Sequence, residues 1–397
     1  MKGKHYLKNS NGYLEFLHFI RVVGAYVIQL LGRLRPIDRK VILFYAFERK
    51  GICCNPKYMM KELIRSYPGQ YELYWVSKWP DTCEEGDGYK VVRLRSLQFY
   101  KLCSYAKCFV ANDRIDEFMI KRKGQIYINT WHGGGLGKKA GFDEVKNADD
   151  EAFMTKEYGK FDCFLSSGEM NAEILQRAFR LDAEHVIRSG MPRSDVLYDK
   201  TKNLEVRKKV GVASGKRIVL YAPTYRRYDS DAFFPGTEID NLLDALGERF
   251  GGEWVFFHKI HYFEREPFYK NTGENIFDCS DYFDTQELLC AVDVLITDYS
   301  SLLWDFTLLR RPAFRYSTDI DIKVNSVSDF YLDYFKWPYP HASTVSELYD
   351  CIRKYDTEYY KARMEDYIEH YGNYDTGNSS QKAAKWIHSL LYQGKDI

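Results

Sequence analysis

Gln125-Ile-Tyr-Ile-Asn-Thr-Trp-His-Gly-Gly-Gly-Leu-Gly-Lys-Lys-Ala-Gly141 couples an apolar run to backbone that little besides glycine tolerates. Gln125 to Trp131 reads as a buried strand. Gly133, Gly134 and Gly135 then let the main chain turn tightly and present unhindered N–H groups to an anion. His132 stands at the strand exit, a layout suited to a group acting on phosphate. Two plainer readings stay open: a turn that is only a turn, and a histidine that is only structural. No Walker loop is present, because such a loop needs Gly where position 132 is His and Ser or Thr where position 139 is Lys. A dinucleotide fingerprint is matched too loosely to use.

On either side of this stretch, short β-rich runs alternate with helical ones. Val41 to Phe47, Tyr71 to Ser77, Tyr89 to Leu94, Cys108 to Asn112, Asp162 to Ser167 and Val186 to Gly190 read as further strands. Lys57 to Tyr67, Leu97 to Tyr105 and Asn171 to Phe179 read as helices between them. A second strand series runs Arg217 to Ala222, Glu253 to His258, Asn275 to Asp278, Val292 to Thr297 and Pro312 to Tyr316. Such alternation predicts an α/β protein with two doubly wound parallel sheets. The polar stretch Asp195 to Gly215 is the expected joint, giving segments 1–38, 39–195 and 196–397, with the last helix free to cross back.

At 397 residues the chain exceeds what one core usually supports. A net charge of +1 argues against a nucleic-acid binder working by bulk electrostatics. Nine cysteines, with Cys53 and Cys54 adjacent and no CxxC pair, suit neither a disulfide framework nor a zinc site. A reducing cytosol fits best. His258 and His261 are spaced HxxH, but positions three apart on a strand face opposite ways, so no metal is expected there.

Leu14 to Leu34 has a sided pattern. Phe16, Ile20, Val23, Val27, Leu30 and Leu34 share one helical face, while Glu15, His18, Arg21, Gln29 and Arg33 share the other. Only 11 uncharged residues separate Arg21 from Arg33, where a membrane span needs about 20. A core-packing helix and an interfacial one both fit this pattern. The flanking Lys2, Lys4, Lys8, Arg21, Arg33, Arg35, Arg39 and Lys40 favour an anionic membrane surface, each cation contributing about 1 kcal/mol near it.

Ligands of doubly wound sheets bind at the carboxyl ends of strands, and each motif of interest lies at one. His132 and Gly190-Met-Pro-Arg-Ser-Asp195 follow strands of the first series; Ala222-Pro-Thr-Tyr-Arg226, Lys259 with His261, and Asp298-Tyr-Ser-Ser301 follow strands of the second. Ser300 or Ser301 is expected near the cap of a helix over Leu302 to Arg310, where free N–H groups attract anions. Lys259 and Arg226 supply charge suited to a pyrophosphate, and His132 and His261 are candidates for taking a proton from an alcohol.

These residues resemble a known family. Thr130-Trp-His-Gly133 with Lys138-Lys-Ala-Gly141, Gly190 to Asp195, Tyr221-Ala-Pro-Thr-Tyr-Arg226, Lys259-Ile-His261, and Ile296-Thr-Asp-Tyr-Ser-Ser301 with Asp305-Phe306 are similar, in order, to the motifs of the CDP-glycerol glycerophosphotransferases of teichoic acid synthesis. The match runs from about Lys40 to about Trp386. It implies a GT-B fold: two Rossmann-like domains facing a central cleft, 39–195 on the acceptor side and 196–397 holding the CDP-alcohol. It also implies peripheral attachment to the cytoplasmic face of a bacterial cell membrane. Two departures stand out. Many members read His-Gly-Thr-Pro where this chain has His132-Gly-Gly-Gly135, and an Arg-Gly pair where it has Ser328-Asp329 ahead of Phe330-Tyr331. The long N-terminal extension of large polymerases is not expected.

The resulting expectation is a transferase that moves glycerol phosphate, or ribitol phosphate, from a CDP-linked donor to a hydroxyl of a lipid-linked glycan or polyol-phosphate polymer, releasing CMP. His132, His261 and Asp298 are the expected catalytic residues, with His132 as general base and Asp298 orienting its neighbours. Gly133, Gly134, Arg193, Thr224, Arg226, Lys259, Ser300 and Ser301 are the expected substrate contacts. No cofactor, no protein-bound metal and no nucleic-acid partner are expected; Mg²⁺ arriving with the donor stays open. A GT-B glycosyltransferase using a nucleotide sugar, or a silent scaffold in a polymer-synthesis complex, are the alternatives.

Overall fold

The computed structural model describes residues 19–47, 51–83, 86–114, 116, 118–135, 137–224, 233–260, 274–320 and 330–393. The first sheet contains β1 (Asp38–Tyr45), β2 (Glu72–Ser77), β3 (Tyr89–Arg93), β4 (Ala106–Ala111), β5 (Ile126–Asn129), β6 (Cys163–Leu165) and β7 (Val186–Ile187), in the order β3-β2-β1-β4-β5-β6-β7. Its central strand β1 is apolar and buried from Val41 to Tyr45, as a strand covered on both faces must be. It runs parallel to both neighbours, with Phe44 beside Trp75 of β2 and Val110 of β4.

The second sheet contains β8 (Arg217–Tyr221), β9 (Trp254–His258), β10 (Ile276–Asp278), β11 (Val294–Thr297), β12 (Ala313–Tyr316) and β13 (His341–Ala342), ordered β10-β9-β8-β11-β12-β13. Val219, Phe256, Ile296 and Phe314 pack into one core with Leu242 and Leu246 of the helix Ile239–Phe250. In each sheet the chain works outward from a central strand and then returns beside it. The reversals fall between β1 and β4 and between β8 and β11, where a doubly wound sheet opens a crevice at its carboxyl edge. All strands expected from the sequence are present, and the two-residue β13 is an addition.

Contacts divide the chain into two compact units. One comprises Met1–Trp131, Ala152–Phe164 and Ala383–Ile397; the other comprises His132–Glu151 and Leu165–Lys382. Among the described residues no disulfide bond joins the nine cysteines.

Residues 19–32 form a helix in the first unit. Ala25, Gln29 and Gly32 seat it: a Cβ at Gly32 would lie 2.0 Å from Ser104 Oγ. The Gln29 amide donates to Phe118 O at 2.8 Å and accepts from Ile120 N at 2.9 Å. Gln29 is therefore 2% exposed, correcting its expected place on the solvent face. Ile20, Val23, Val27, Leu30 and Leu34 point outward instead, Leu34 being 88% exposed. Residues 14–18 of the sided pattern lie outside the described residues. No helix among the described residues is long and apolar enough to cross a membrane.

Candidate active site

The carboxyl edge of the second sheet gathers three of the expected residues. Asp298, just beyond β11 and fully buried, accepts from the Thr224 amide at 2.8 Å and from the Thr224 hydroxyl at 2.6 Å. Because β8 and β11 flank the reversal of this sheet, the pair spans its crevice. One strand further out, Lys259 turns its ammonium onto backbone oxygens, donating to Tyr282 O at 2.8 Å and to Ser280 O at 3.3 Å. These carbonyls occupy donor hydrogens of the ammonium that the sequence assigned to pyrophosphate, while its charge remains. Nearby, His258 is fully buried; burial holds its imidazole below the usual range, against the Asp278 carboxylate at 3.6 Å.

The glycine loop after His132 is held by a short helix, Leu302–Thr307. Its Trp304 lies against Gly134 so closely that a Cβ there would fall 2.0 Å from Cδ1 of the indole. Gly135 takes a φ of +75°, the left-handed region that favours glycine, and its N–H donates to Tyr371 Oη at 2.9 Å. The Tyr371 ring in turn meets Trp304 at 4.0 Å between centroids, and its hydroxyl pairs with Ser167 Oγ at 2.6 Å. Close packing thus accounts for Gly134 and Gly135, and the Gly135 N–H already has a protein acceptor.

Gly190 to Asp195 behaves as a junction. Gly190, at φ +83°, admits no side chain, because a Cβ would lie 2.3 Å from Ser379 Oγ. The Met191 N–H donates to Asp375 Oδ1 at 2.5 Å, and Trp304 Nε1 donates to Asp375 Oδ2 at 3.3 Å. Asp195 accepts from Ser379 N at 2.9 Å and Ser380 N at 2.7 Å, at the start of the helix Ser379–Gln393. Arg193, 3% exposed at its side chain, donates to His132 O at 2.6 Å and pairs with Asp305, 0% exposed, at 2.8 Å. Gln286 Nε2 donates to the same Asp305 carboxylate at 2.9 Å. Burial pushes the Asp305 carboxyl up, with Arg193 and Gln286 opposing it. The Asp375 carboxyl is pushed up to about 7 by burial, against the hydrogen bonds from Met191 and Trp304.

Gly134, Gly135, Ser300, Ser301, Trp304 and Trp337 line part of one cavity of about 20 Å³ in the second unit. That volume suits a single water. Two motifs more than 160 positions apart in sequence therefore meet at one wall. The helix expected over Leu302 to Arg310 ends at Thr307, and the Ser301 side chain makes no capping bond; Ser300 Oγ instead accepts from Leu302 N at 3.3 Å. Arg226 and His261 lie outside the described residues. Trp304, Tyr371 and Asp375 were missed from the sequence. Trp304 had one signal available, its place between the motif serines and Asp305. Among the described residues no cluster of His, Cys, Asp and Glu could hold a metal ion.

Comparison with known proteins bears on this geometry. A sequence model described as CDP-Glycerol:Poly(glycerophosphate) glycerophosphotransferase matches residues 27–389. The teichoic acid poly(glycerol phosphate) polymerase of Bacillus spizizenii is 30% identical over 384 residues, covering 91% of this chain and 95% of its own length. The polymerase of the same name from Staphylococcus epidermidis is 29% identical over 374 residues, covering 89% of this chain, which spans about half (51%) of that relative. Among solved structures, a histidine variant of the wall teichoic acid polymerase TagF soaked with CDPG superposes with a TM-score of 0.84 at 26% identity, covering 100% of both chains.

Proposed function

This chain belongs to the CDP-glycerol:poly(glycerophosphate) glycerophosphotransferase family, and on that premise we propose that it transfers glycerol phosphate, or a related polyol phosphate, from a CDP-linked donor to a hydroxyl of a lipid-linked glycan or teichoic-acid-like polymer. The acceptor oxygen attacks the phosphorus bearing the polyol, the bond from that phosphorus to the CMP oxygen breaks, and CMP leaves. His132 takes the acceptor proton. Thr224, Arg226, Lys259, His261, Ser300 and Ser301 serve the donor phosphates, with Asp298 fixing Thr224, on a scaffold of GT-B type. Preorganised donors of this kind stabilise developing negative charge without reorganising during the reaction.

One observation carries the reading: the loop that begins at His132 and the serines Ser300 and Ser301 meet around one cavity. The CDPG-soaked TagF structure supports the choice of donor by similarity. The deciding experiment supplies CDP-glycerol, CDP-ribitol or a UDP-sugar together with a lipid-linked glycerol-phosphate oligomer, and measures the nucleotide released. Acceptor-dependent CMP from a CDP-polyol is the expected result. UDP released from a sugar nucleotide, with no CMP from either CDP-polyol, would overturn the proposal.

The same reading puts the protein at the cytoplasmic face of a bacterial cell membrane. Supporting it, Phe19, Ile20, Val23, Val27, Leu30, Leu31 and Leu34 expose an apolar face with Arg21, Arg33 and Arg35 close in sequence. An apolar helical face beside cations suits the interface of an anionic leaflet.

A further inference from the structure

We infer that Arg193 and Asp305 are positioning residues, whose buried ion pair fixes the main chain of His132; the inference rests on His132 being the proton acceptor proposed above. One guanidinium serves two partners: Nη1 donates to His132 O at 2.6 Å, and Nη2 donates to Asp305 at 2.8 and 3.1 Å. Since the guanidinium is planar and its donors are rigidly spaced, binding both partners fixes the angle between them. Gln286 and Arg193 satisfy the Asp305 carboxylate from two sides, so the far end of the link is itself anchored.

Stability alone does not account for the pair. Taking two charges out of water is expensive, and well-packed apolar residues often serve a fold as well as a buried ion pair. The geometry supplies a better reason. Asp305 follows Trp304 on the same short helix, so that helix holds the loop twice: through Arg193 at the His132 carbonyl and through the indole under Gly134. Tyr371 adds a third hold at the Gly135 N–H. Neither Arg193 nor Asp305 is exposed enough to meet a substrate directly. Their effect on turnover is therefore indirect, and the link they make to the loop ends on the His132 carbonyl.

The test uses the whole chain with CDP-glycerol and a lipid-linked glycerol-phosphate oligomer, and compares Arg193→Lys, the double variant Arg193→Gln/Asp305→Asn, and His132→Ala. The double variant leaves no uncompensated buried charge, which keeps it foldable. Displacing a catalytic group by about 1 Å can lower turnover by roughly 10²-fold, so kcat of the double variant should fall about that far. Calorimetric affinity for CDP-glycerol should stay within a few-fold. Arg193→Lys, keeping the charge and one link, should be intermediate. A folded double variant with wild-type kcat overturns the assignment, as does a parallel loss of kcat and donor affinity, or failure of both Arg193 variants to fold. Normal turnover by His132→Ala sinks the underlying reading of the site, whereas an inactive His132→Ala beside a fully active double variant sinks the positioning role alone.

Discussion

The indole of Trp304 occupies the space that a side chain at Gly134 would need: a Cβ built there lies 2.0 Å from Cδ1 and 2.3 Å from Nε1. Trp304 is confined by the Tyr371 ring and by its bond to Asp375, so it has little freedom to withdraw. Gly134→Ala is therefore expected to destabilise the protein by about 1–3 kcal/mol, as overpacking does, and to lower turnover by shifting the His132 loop. Adding Trp304→Phe should restore part of both losses. Thermal melting and turnover of the single variant check this; values equal to wild type would mean that the indole yields freely.

His132→Ala tests the chemical step. Removing a general base is expected to lower turnover by about 10²–10⁴-fold and to abolish the acidic limb of the pH–rate profile. Donor affinity should change only a few-fold, since the missing contact is to the acceptor. A variant that turns over normally but melts much earlier would leave His132 with a structural role only.

Ser300→Ala/Ser301→Ala should weaken CDP-glycerol binding while the fold survives. Among the described residues, the only hydrogen bond between these side chains and the helix is the one that Ser300 Oγ accepts from Leu302 N at 3.3 Å, and Ser301 is exposed. Calorimetry decides, and unchanged donor affinity would remove the serines from the site.

The outward face of the N-terminal helix makes a separate prediction. Val27→Ser, Leu30→Ser and Leu31→Ser together should leave the melting temperature near wild type, because all three side chains are exposed. They should abolish co-sedimentation with phosphatidylglycerol vesicles, and salt should weaken the wild-type interaction. Binding that survives the triple substitution would point to another surface.

Asp375 links stability to pH. Its folded carboxyl is raised to about 7, so the native state keeps a proton that the unfolded chain releases at lower pH. This group's contribution is complete below the ordinary aspartate range and is lost as pH rises through about 7. Wild-type urea midpoints are expected to fall between about pH 5 and about pH 7.5 and to level off above it, and Asp375→Asn should flatten that fall. An equally steep decline in the variant would assign the effect to other groups.

The two sheets were legible because parallel strands, buried on both faces, are written as continuous apolar runs such as Val41 to Tyr45 and Trp254 to Phe257. His132, Gly134, Ser300 and Ser301 were legible as strand-end residues, and the structure gathers their loops around one cavity. What holds them was not. Arg193 and Asp305 are 112 positions apart and Met191 and Asp375 are 184 apart, and a single sequence carries no local sign of such pairs. The glycine run suggested space for an anion, yet at Gly134 and Gly135 the neighbour requiring it is Trp304. Gln29 was misplaced because helical periodicity cannot register an acceptor and a donor offered by Phe118 and Ile120, about 90 residues away.

The two bonds from Ser379 and Ser380 to Asp195 tie the start of one helix to the corner that carries Arg193. Burial pushes the Asp195 carboxyl up, and these serines oppose it, so the carboxylate depends on a segment 184 and 185 positions away. Ser380 Oγ also donates to Pro192 O at 3.2 Å, gripping the residue next to Arg193. A chain in which residues 379 and 380 are not in place cannot finish this corner, and the partly buried Asp195 then lacks two of its donors. The order around His132 thereby depends on a contact of long sequence separation, which has to close before this neighbourhood is complete.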